Sequence, residues 1–73
     1  MNLSWQAKDV LRIFRELGME PGQHVGYNHL WHKLASVIMV ADGVKALAEN
    51  GFVIQHADDA ELTDKGYELI RIA

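Results

Sequence analysis

Three of the four histidines lie close together in the sequence, and their spacing is the feature best suited to metal chemistry. His29 and His32 are three positions apart on a predicted helix, so they point to one side, and His24 lies just upstream. Such spacing can place two imidazoles on one metal ion. No cysteine accompanies them and no carboxylate lies at a telling interval, so we expect no metal site. Capping, surface and phosphate-contact roles remain open for these histidines.

Two adjacent aspartates, Asp58 and Asp59, form the other grouping that suggests chemistry, and Glu61 follows closely. General acid catalysis needs a carboxyl group whose pKa is raised by apolar surroundings. The tip of a polar hairpin, where these residues fall, offers no such surroundings. The chain also lacks cysteine and a glycine-rich phosphate loop, and its 73 residues leave little room for a deep pocket. We therefore expect neither enzymatic activity nor a cofactor.

Positive charge is concentrated on the first predicted helix, where Lys8, Arg12 and Arg15 lie on the side opposite the apolar face. One interpretation of this basic face (Lys8, Arg12 and Arg15) is a solvated helix surface. The other is a contact with backbone phosphate or with an acidic partner, including the acidic hairpin of a second copy of this chain.

Length and charge limit the classes of protein to which this chain can belong. Its 73 residues indicate one small domain spanning residues 1–73, and the net charge is -3. The overall charge therefore gives no sign of the basic surface that is usual in a nucleic-acid binder. No apolar run reaches the ~18 residues of a membrane span, and residues 1–9 lack the pattern of a signal peptide. We expect a cytoplasmic protein that does not enter a membrane.

Helix signals divide the first part of the chain. Ser4 is a suitable N-cap for a helix that begins at Trp5, and Gly18 is its stop signal. Residues 23–28 have room for one or two extended residues, after which Asn28 is a suitable cap for a second helix.

The second and third helices should separate near residues 35–38. The third should end at Gly51, because glycine readily adopts the left-handed conformation of a helix C-terminus. Its start is less well defined by the sequence. Gly43 costs about 1 kcal/mol in a helix interior, so this helix could begin as late as Asp42.

A β-hairpin and a last helix are predicted to follow. The segment 52–56 is rich in strand-forming residues, and residues 60–63 can pair back on it. Thr63 is the expected N-cap of the last helix. The apolar positions expected to be largely buried are Phe14, Leu17, Leu30, Leu34, Val44, Leu47, Val53 and Leu62.

The two tryptophans have different expected environments. Trp31 should belong to the core between the first and second helices. Trp5 lies away from the main apolar face of its helix. We expect it to pack against the C-terminal helix, and the alternative is an exposed anchor for a partner.

The order of these elements, and the phrase LAENGFVI…ELTDKGYELI, resemble the winged helix-turn-helix domains of bacterial transcription regulators. In that family a leucine near the end of the third helix precedes a glycine and an apolar strand, as Leu47, Gly51 and residues 52–54 do here. The family's second wing strand often runs into a leucine-threonine-x-x-glycine phrase, here residues 62–66. The resemblance implies an α+β fold with a three-helix helix-turn-helix core, an antiparallel β-hairpin wing at residues 52–63, and a C-terminal helix.

In that family the outward face of the third helix enters the major groove of DNA. The outward residues of this chain are Asp42, Lys45, Ala46 and Glu49. The candidate DNA contacts that the resemblance implies are Lys45, Asn50, Lys33, His29 and His32. Three acidic wing residues (Asp58, Asp59 and Glu61) would instead repel phosphate, which makes a lone domain a weak DNA binder.

Two functions remain open. The first is a small DNA-binding or transcription-regulatory protein that works as a dimer or beside a stronger binder. The resemblance narrowly favours it, because the fold is so often used in that way. The second is a protein-protein interaction module without DNA binding, which uses its acidic wing residues or an apolar surface. The distribution of charge favours the second.

Overall fold

Residues 3–72 of the chain are described by the computed structural model, residue 72 by its backbone alone. They form an α+β fold with four helices and one antiparallel sheet of three strands. The helices are α1 (Trp5–Glu16), α2 (Tyr27–Leu34), α3 (Val37–Glu49) and α4 (Asp64–Ile72). The strands are β1 (His24–Gly26), β2 (Val53–Gln55) and β3 (Asp59–Leu62), in the spatial order β1-β3-β2. This arrangement is compatible with a winged helix, and the predicted helices and hairpin are confirmed.

The helix N-termini are largely those that the sequence predicts. The Ser4 hydroxyl accepts a hydrogen bond of 3.2 Å from the backbone amide three residues further on, and α1 begins at Trp5. The Thr63 hydroxyl accepts a bond of 3.1 Å from the amide of Gly66 in the first turn of α4. The prediction that Asn28 caps α2 is wrong. Strand β1 runs into α2 without a loop, so Asn28 already lies in the first turn.

Helix α3 begins at Val37, well before Asp42, and its cap is Ser36, whose hydroxyl accepts a bond of 3.2 Å from an amide of the first turn. Gly43 lies inside this helix because α1 packs directly against it. A Cβ atom at Gly43 would stand 2.7 Å from the carbonyl oxygen of Gln6 and 2.8 Å from a Val10 methyl group. Glycine therefore allows close approach of the two helices, which offsets its low helix propensity.

Only two residues, Ala35 and Ser36, connect α2 to α3. Ala35 has a φ of 54° and lies in the left-handed region, which non-glycine residues seldom adopt. Its amide donates a hydrogen bond of 2.7 Å to the carbonyl of Trp31 and so closes the last turn of α2. The predicted break near residues 35–38 is confirmed, and the tight connection fixes the angle between the two helices.

Strand β3 is the central strand of the sheet, and Glu61 is opposite His24 on one side and Ile54 on the other. Because successive side chains of a strand point to opposite faces, Val25 and Val53 face the core, whereas His24, Ile54 and Glu61 form a row on the outer face. The sequence allowed one or two extended residues before α2. The structure has a full third strand there, held by pairing with β3.

The core is formed by α1, α3 and the inner face of the sheet, and it contains no buried polar or charged residue among those described. The buried apolar residues are Ala7, Val10, Leu11, Ile13, Phe14, Met19, Val25, Leu30, Val40, Val44, Leu47, Phe52, Val53, Ala60, Leu62 and Ile70. Six predicted core positions are confirmed: Phe14, Leu30, Val44, Leu47, Val53 and Leu62.

Four apolar residues are more exposed than the sequence predicts. Leu17 is 41% exposed, because α1 ends at Glu16 and Met19 takes the buried position after the turn. Leu34 is only partly buried. Trp31 is 39% exposed, since its neighbour Leu30 occupies the core side of α2. Trp5 is 60% exposed at the first residue of α1, so its expected packing against α4 is wrong.

None of the helices in the described part of the chain combines the length and the apolar character needed to cross a lipid bilayer.

Candidate functional site

The outward face of α3 has two halves of different character. In the C-terminal half, Asp42, Lys45 and Glu49 are exposed, as the sequence predicts. Lys45 forms no ion pair with any other described residue. Two carboxylates beside one lysine give this half a net negative charge, which is unfavourable for contact with phosphate.

The N-terminal half of the same face is apolar. Ile38 is 74% exposed and Val37 is 56% exposed, and Ala41 follows one turn later. Trp31 reaches the same region from α2 and borders a groove of about 100 Å³ between α2, α3 and the end of β2. We call these four residues, Trp31, Val37, Ile38 and Ala41, the α2–α3 apolar surface. The sequence did not indicate it, because the helix break predicted near residues 35–38 left Val37 and Ile38 outside α3.

Asn50, a candidate DNA contact at the end of α3, forms hydrogen bonds within the fold. Its side-chain amide donates a hydrogen bond of 2.8 Å to the carbonyl of Ala46 and closes the end of α3. The Asn50 carbonyl in turn accepts a bond of 2.8 Å from the Lys65 ammonium group, which also lies 5.0 Å from the centre of the Phe52 ring. Lys65 thus acts on the negative end of the helix dipole, a role that the sequence did not suggest.

The remaining candidate DNA contacts, His29, His32 and Lys33, lie on the exposed side of α2. The considered grouping of His24 with His29 and His32 does not form, because His24 lies on β1 and contacts residues of the wing. Lys33 and the two α2 histidines therefore form a separate exposed strip.

The basic face of α1 is partly neutralised by its own helix. The Arg12 guanidinium group lies 2.8 Å from a Glu16 carboxylate oxygen and 3.9 Å from one of Asp9. Lys8 and Arg15 are exposed, and together with Arg12 they border a groove of about 460 Å³ between α1 and α4. The floor of that groove is apolar and includes Leu3, Leu11, Leu69 and Ile70.

The acidic wing residues do not all lie at a hairpin tip. Asp58 is in the turn and Glu61 lies on the second wing strand, as the sequence predicts, whereas Asp59, which was predicted in the loop, also lies on β3. The reason is the pairing of β1 with β3, which extends β3 to Asp59 opposite Gly26.

Asp59 and Glu61 lie close to two histidines that flank them on neighbouring strands. The His24 Nδ1 atom lies 2.9 Å from an Asp59 carboxylate oxygen, and its Nε2 atom lies 3.4 Å from Glu61 Oε1. The His56 Nε2 atom lies 2.9 Å from that same Glu61 oxygen. The hydrogen bond to Asp59, ahead of the charges of Asp59 and Glu61, raises the pKa of His24 above its ordinary value. We call His24, His56, Asp59 and Glu61 the sheet-face cluster.

Strand register explains why these side chains meet. His24 is directly opposite Glu61 and diagonal to Asp59, and the two imidazole rings stack with centroids 5.1 Å apart. The alternation of polar and apolar residues in HVG and DAEL carries this signal in the sequence, whereas VIQH does not alternate. It can be recognised only if β1 is first identified as a partner of β3.

Tyr27 lies between the sheet-face cluster and the α2–α3 apolar surface. Its ring borders the apolar groove, and its hydroxyl donates a hydrogen bond to the His56 carbonyl. Burial, followed by the charges of Asp59 and Asp58, raises the Tyr27 pKa above its ordinary value. The two regions are therefore neighbours on one side of the molecule.

No family model matches this chain, and neither a curated protein nor a solved structure matches it. The resemblance to winged helix-turn-helix domains thus remains an interpretation of the residues and of the element order. A function has to be inferred from the surfaces described above.

Proposed function

We propose that this chain is a winged-helix protein-protein interaction module that binds a protein segment on the α2–α3 apolar surface. The observation that carries the proposal is the apolar N-terminal half of the outward face of α3, with Val37 56% and Ile38 74% exposed. Covering an apolar surface with a partner removes it from water, and this burial lowers the free energy of the complex.

The winged-helix assignment is supported by the residues that carry the resemblance. Leu47 is fully buried beneath the turn after α3. Gly51 has a φ of 79°, the left-handed conformation that the turn into β2 requires. Thr63 donates its hydroxyl to the carbonyls of Gly51 and Phe52 and caps α4, so the wing is attached to both flanking helices.

The partner should combine apolar side chains with flanking lysine or arginine. Asp42 follows Ile38 by one turn on α3, and the charge of Asp58 acts on Tyr27, whose ring borders the groove. The chain carries a net charge of -3. Complementary charges steer association and fix the orientation of the bound segment. A short amphipathic segment with basic flanks has the chemistry that fits this surface.

DNA binding is the second candidate, and one observation favours it. Lys33 on α2 and Lys45 on α3 are exposed and form no ion pair within the described part of the chain. The surrounding carboxylates of Asp42 and Glu49 oppose contact with phosphate, so we expect any duplex binding to be confined to low salt.

Selection of displayed random peptides on the purified chain tests the proposal. We expect enrichment of peptides with apolar residues beside lysine or arginine, and loss of their binding when Val37→Ser and Ile38→Ser are combined. The matched control is Ile54→Ser, which alters an apolar residue of similar exposure on the outer face of the sheet.

Peptide binding that survives the double substitution would contradict the proposal. Titration with a short duplex at low salt examines the second candidate. Chemical-shift changes over residues 39–50 that disappear in Lys45→Ala and at high salt would favour DNA binding instead.

A further inference from the structure

Three potential metal ligands from the three strands of the sheet meet on its outer face. His24 comes from β1, Glu61 from β3, and His56 from the residue that follows β2. One ligand atom from each of these side chains lies within 4.8 Å of the other two. The Asp59 carboxylate lies 2.9 Å from His24, so two carboxylates give this place a negative potential that attracts cations.

We propose that His24, His56 and Glu61 bind one divalent transition-metal ion of the zinc class. This proposal does not rest on the proposed protein-binding surface and goes beyond it. Two imidazoles and one carboxylate are ligands typical of Zn²⁺, whereas Mg²⁺ and Ca²⁺ prefer all-oxygen sites. A tetrahedral ion would keep its fourth position for water.

The distances are close to those that a bound ion requires. Zinc binds nitrogen and oxygen at about 2.0–2.2 Å, so two ligand atoms on a tetrahedral ion are roughly 3.3 Å apart. The Glu61 Oε1 atom lies 3.4 Å from His24 Nε2 and 2.9 Å from His56 Nε2. The carboxylate therefore already stands between the two imidazoles, where it can share an ion with both.

Two changes are needed. A carboxylate only accepts hydrogen bonds, so the 2.9 Å contact with Glu61 places a proton on His56 Nε2, and that proton must move to Nδ1 before Nε2 can bind an ion. The two imidazole rings are stacked at an angle of 18°, and a metal ion lies in the plane of each imidazole that it binds. The rings must therefore turn out of the stack while their backbones remain in place. Both side chains are nearly half exposed, so they have room to rotate.

Asp59 fixes the tautomer and orientation of His24 that metal binding requires. A carboxylate can only accept a hydrogen bond, so the 2.9 Å contact requires a proton on His24 Nδ1. In the neutral ring the lone pair is then on Nε2, the atom that faces Glu61. A carboxylate that orients a metal-binding histidine in this way fixes its tautomer and makes it a better ligand. Asp59 is thus a positioning residue.

Calorimetric titration of the full chain, free of any histidine tag, with ZnCl₂ tests the site. We expect saturable binding of one ion per chain, which His24→Gln or His56→Gln abolishes. Asp59→Asn should weaken binding by roughly tenfold, the lower end of the range for a lost outer partner. His29→Gln and His32→Gln are the matched controls and should leave the affinity unchanged.

Two further measurements distinguish loss of the metal site from misfolding of a variant. Because zinc binds only the folded chain at this site, it should raise the melting temperature of the wild type and of both controls, but not that of His24→Gln. Amide spectra without metal should show that the exposed substitutions keep the fold. Absence of saturable zinc binding would overturn the proposal. So would binding that persists in both His24→Gln and His56→Gln, which would indicate an adventitious ion on α2.

Discussion

The sheet-face cluster and the α2–α3 apolar surface are neighbours, yet they meet solvent in opposite ways. In the cluster, His24 and His56 are bonded to carboxylates within the fold. On the apolar surface, Val37 and Ile38 have no covering element among the described residues. The comparison teaches that exposure alone does not identify a binding surface. Polar groups that bond to one another are stable in water, and their capacity to bind an ion comes from the ligand atoms that they bring together, whereas exposed apolar area is itself a reason for a partner to bind.

The largest expected effect comes from Leu47→Ala, which removes the support shared by both regions. Leu47 is fully buried, and its carbonyl accepts a hydrogen bond of 2.9 Å from the Phe52 amide at the start of the wing. We expect a loss of roughly 2–5 kcal/mol in the free energy of unfolding, measured by urea denaturation. The exposed Ile54→Ala is the control, expected within about 0.5 kcal/mol of wild type. A loss below about 1 kcal/mol for Leu47→Ala would mean that this residue does not support the core.

Gly43→Ala should disturb the α2–α3 apolar surface and leave the sheet-face cluster unchanged. The added Cβ atom would lie 2.7 Å from the Gln6 carbonyl, so α3 must move away from α1. We expect a loss of about 1–3 kcal/mol in the free energy of unfolding. Amide shifts should change along α3 and spare His24 and His56, since strand pairing holds the sheet-face cluster. A gain of about 1 kcal/mol, the helix-propensity difference, would show that the two helices are not in close contact.

The combined change of Val37→Ser and Ile38→Ser should leave the fold almost unaffected. Both side chains are mostly exposed, so we expect the free energy of unfolding to change by less than about 0.5 kcal/mol. Urea denaturation provides the measurement, and the same variant is expected to lose peptide binding. A large loss of stability would show that these residues hold the fold together, and the contrast between the two regions would then fail.

The smallest effect is expected for His24→Gln in the absence of metal. Exposed ion pairs contribute little to stability because solvent screens them and the side chains lose freedom in forming them. We expect a barely measurable change in the urea midpoint, with His32→Gln as the control. A strong destabilisation of the metal-free chain would mean that the sheet-face cluster serves mainly to hold β1 on the sheet.

Much of the fold could be predicted because its signals are local. The caps formed by Ser4 and Thr63 reach amides three positions ahead, and Gly51 acts through its own backbone, so one sequence is enough to recognise them. Gly43 illustrates the limit. Its low helix propensity suggested a late start for α3, and contact with α1, which is distant in the sequence, overrides that preference.

The candidate sites were harder to predict, because they depend on register and on exposure. His24 and Asp59 are bonded although 35 positions separate them, and nothing local to His24 indicates that partner. The sequence instead grouped His24 with nearby histidines that the structure places on α2. Trp31 shows the same difficulty, since helical spacing alone could not decide whether it or Leu30 would face the core.

Tyr27 gives the two regions a shared physical connection. Its ring borders the apolar groove, and its hydroxyl holds the carbonyl of His56. A segment bound in the groove would contact Tyr27, whose hydroxyl holds the backbone of the proposed metal ligand His56. Thermodynamic linkage then requires reciprocity: if zinc alters the affinity for the segment by some factor, the segment must alter the affinity for zinc by the same factor. Tyr27→Phe keeps the ring and removes the hydroxyl, so it should reduce that factor towards one.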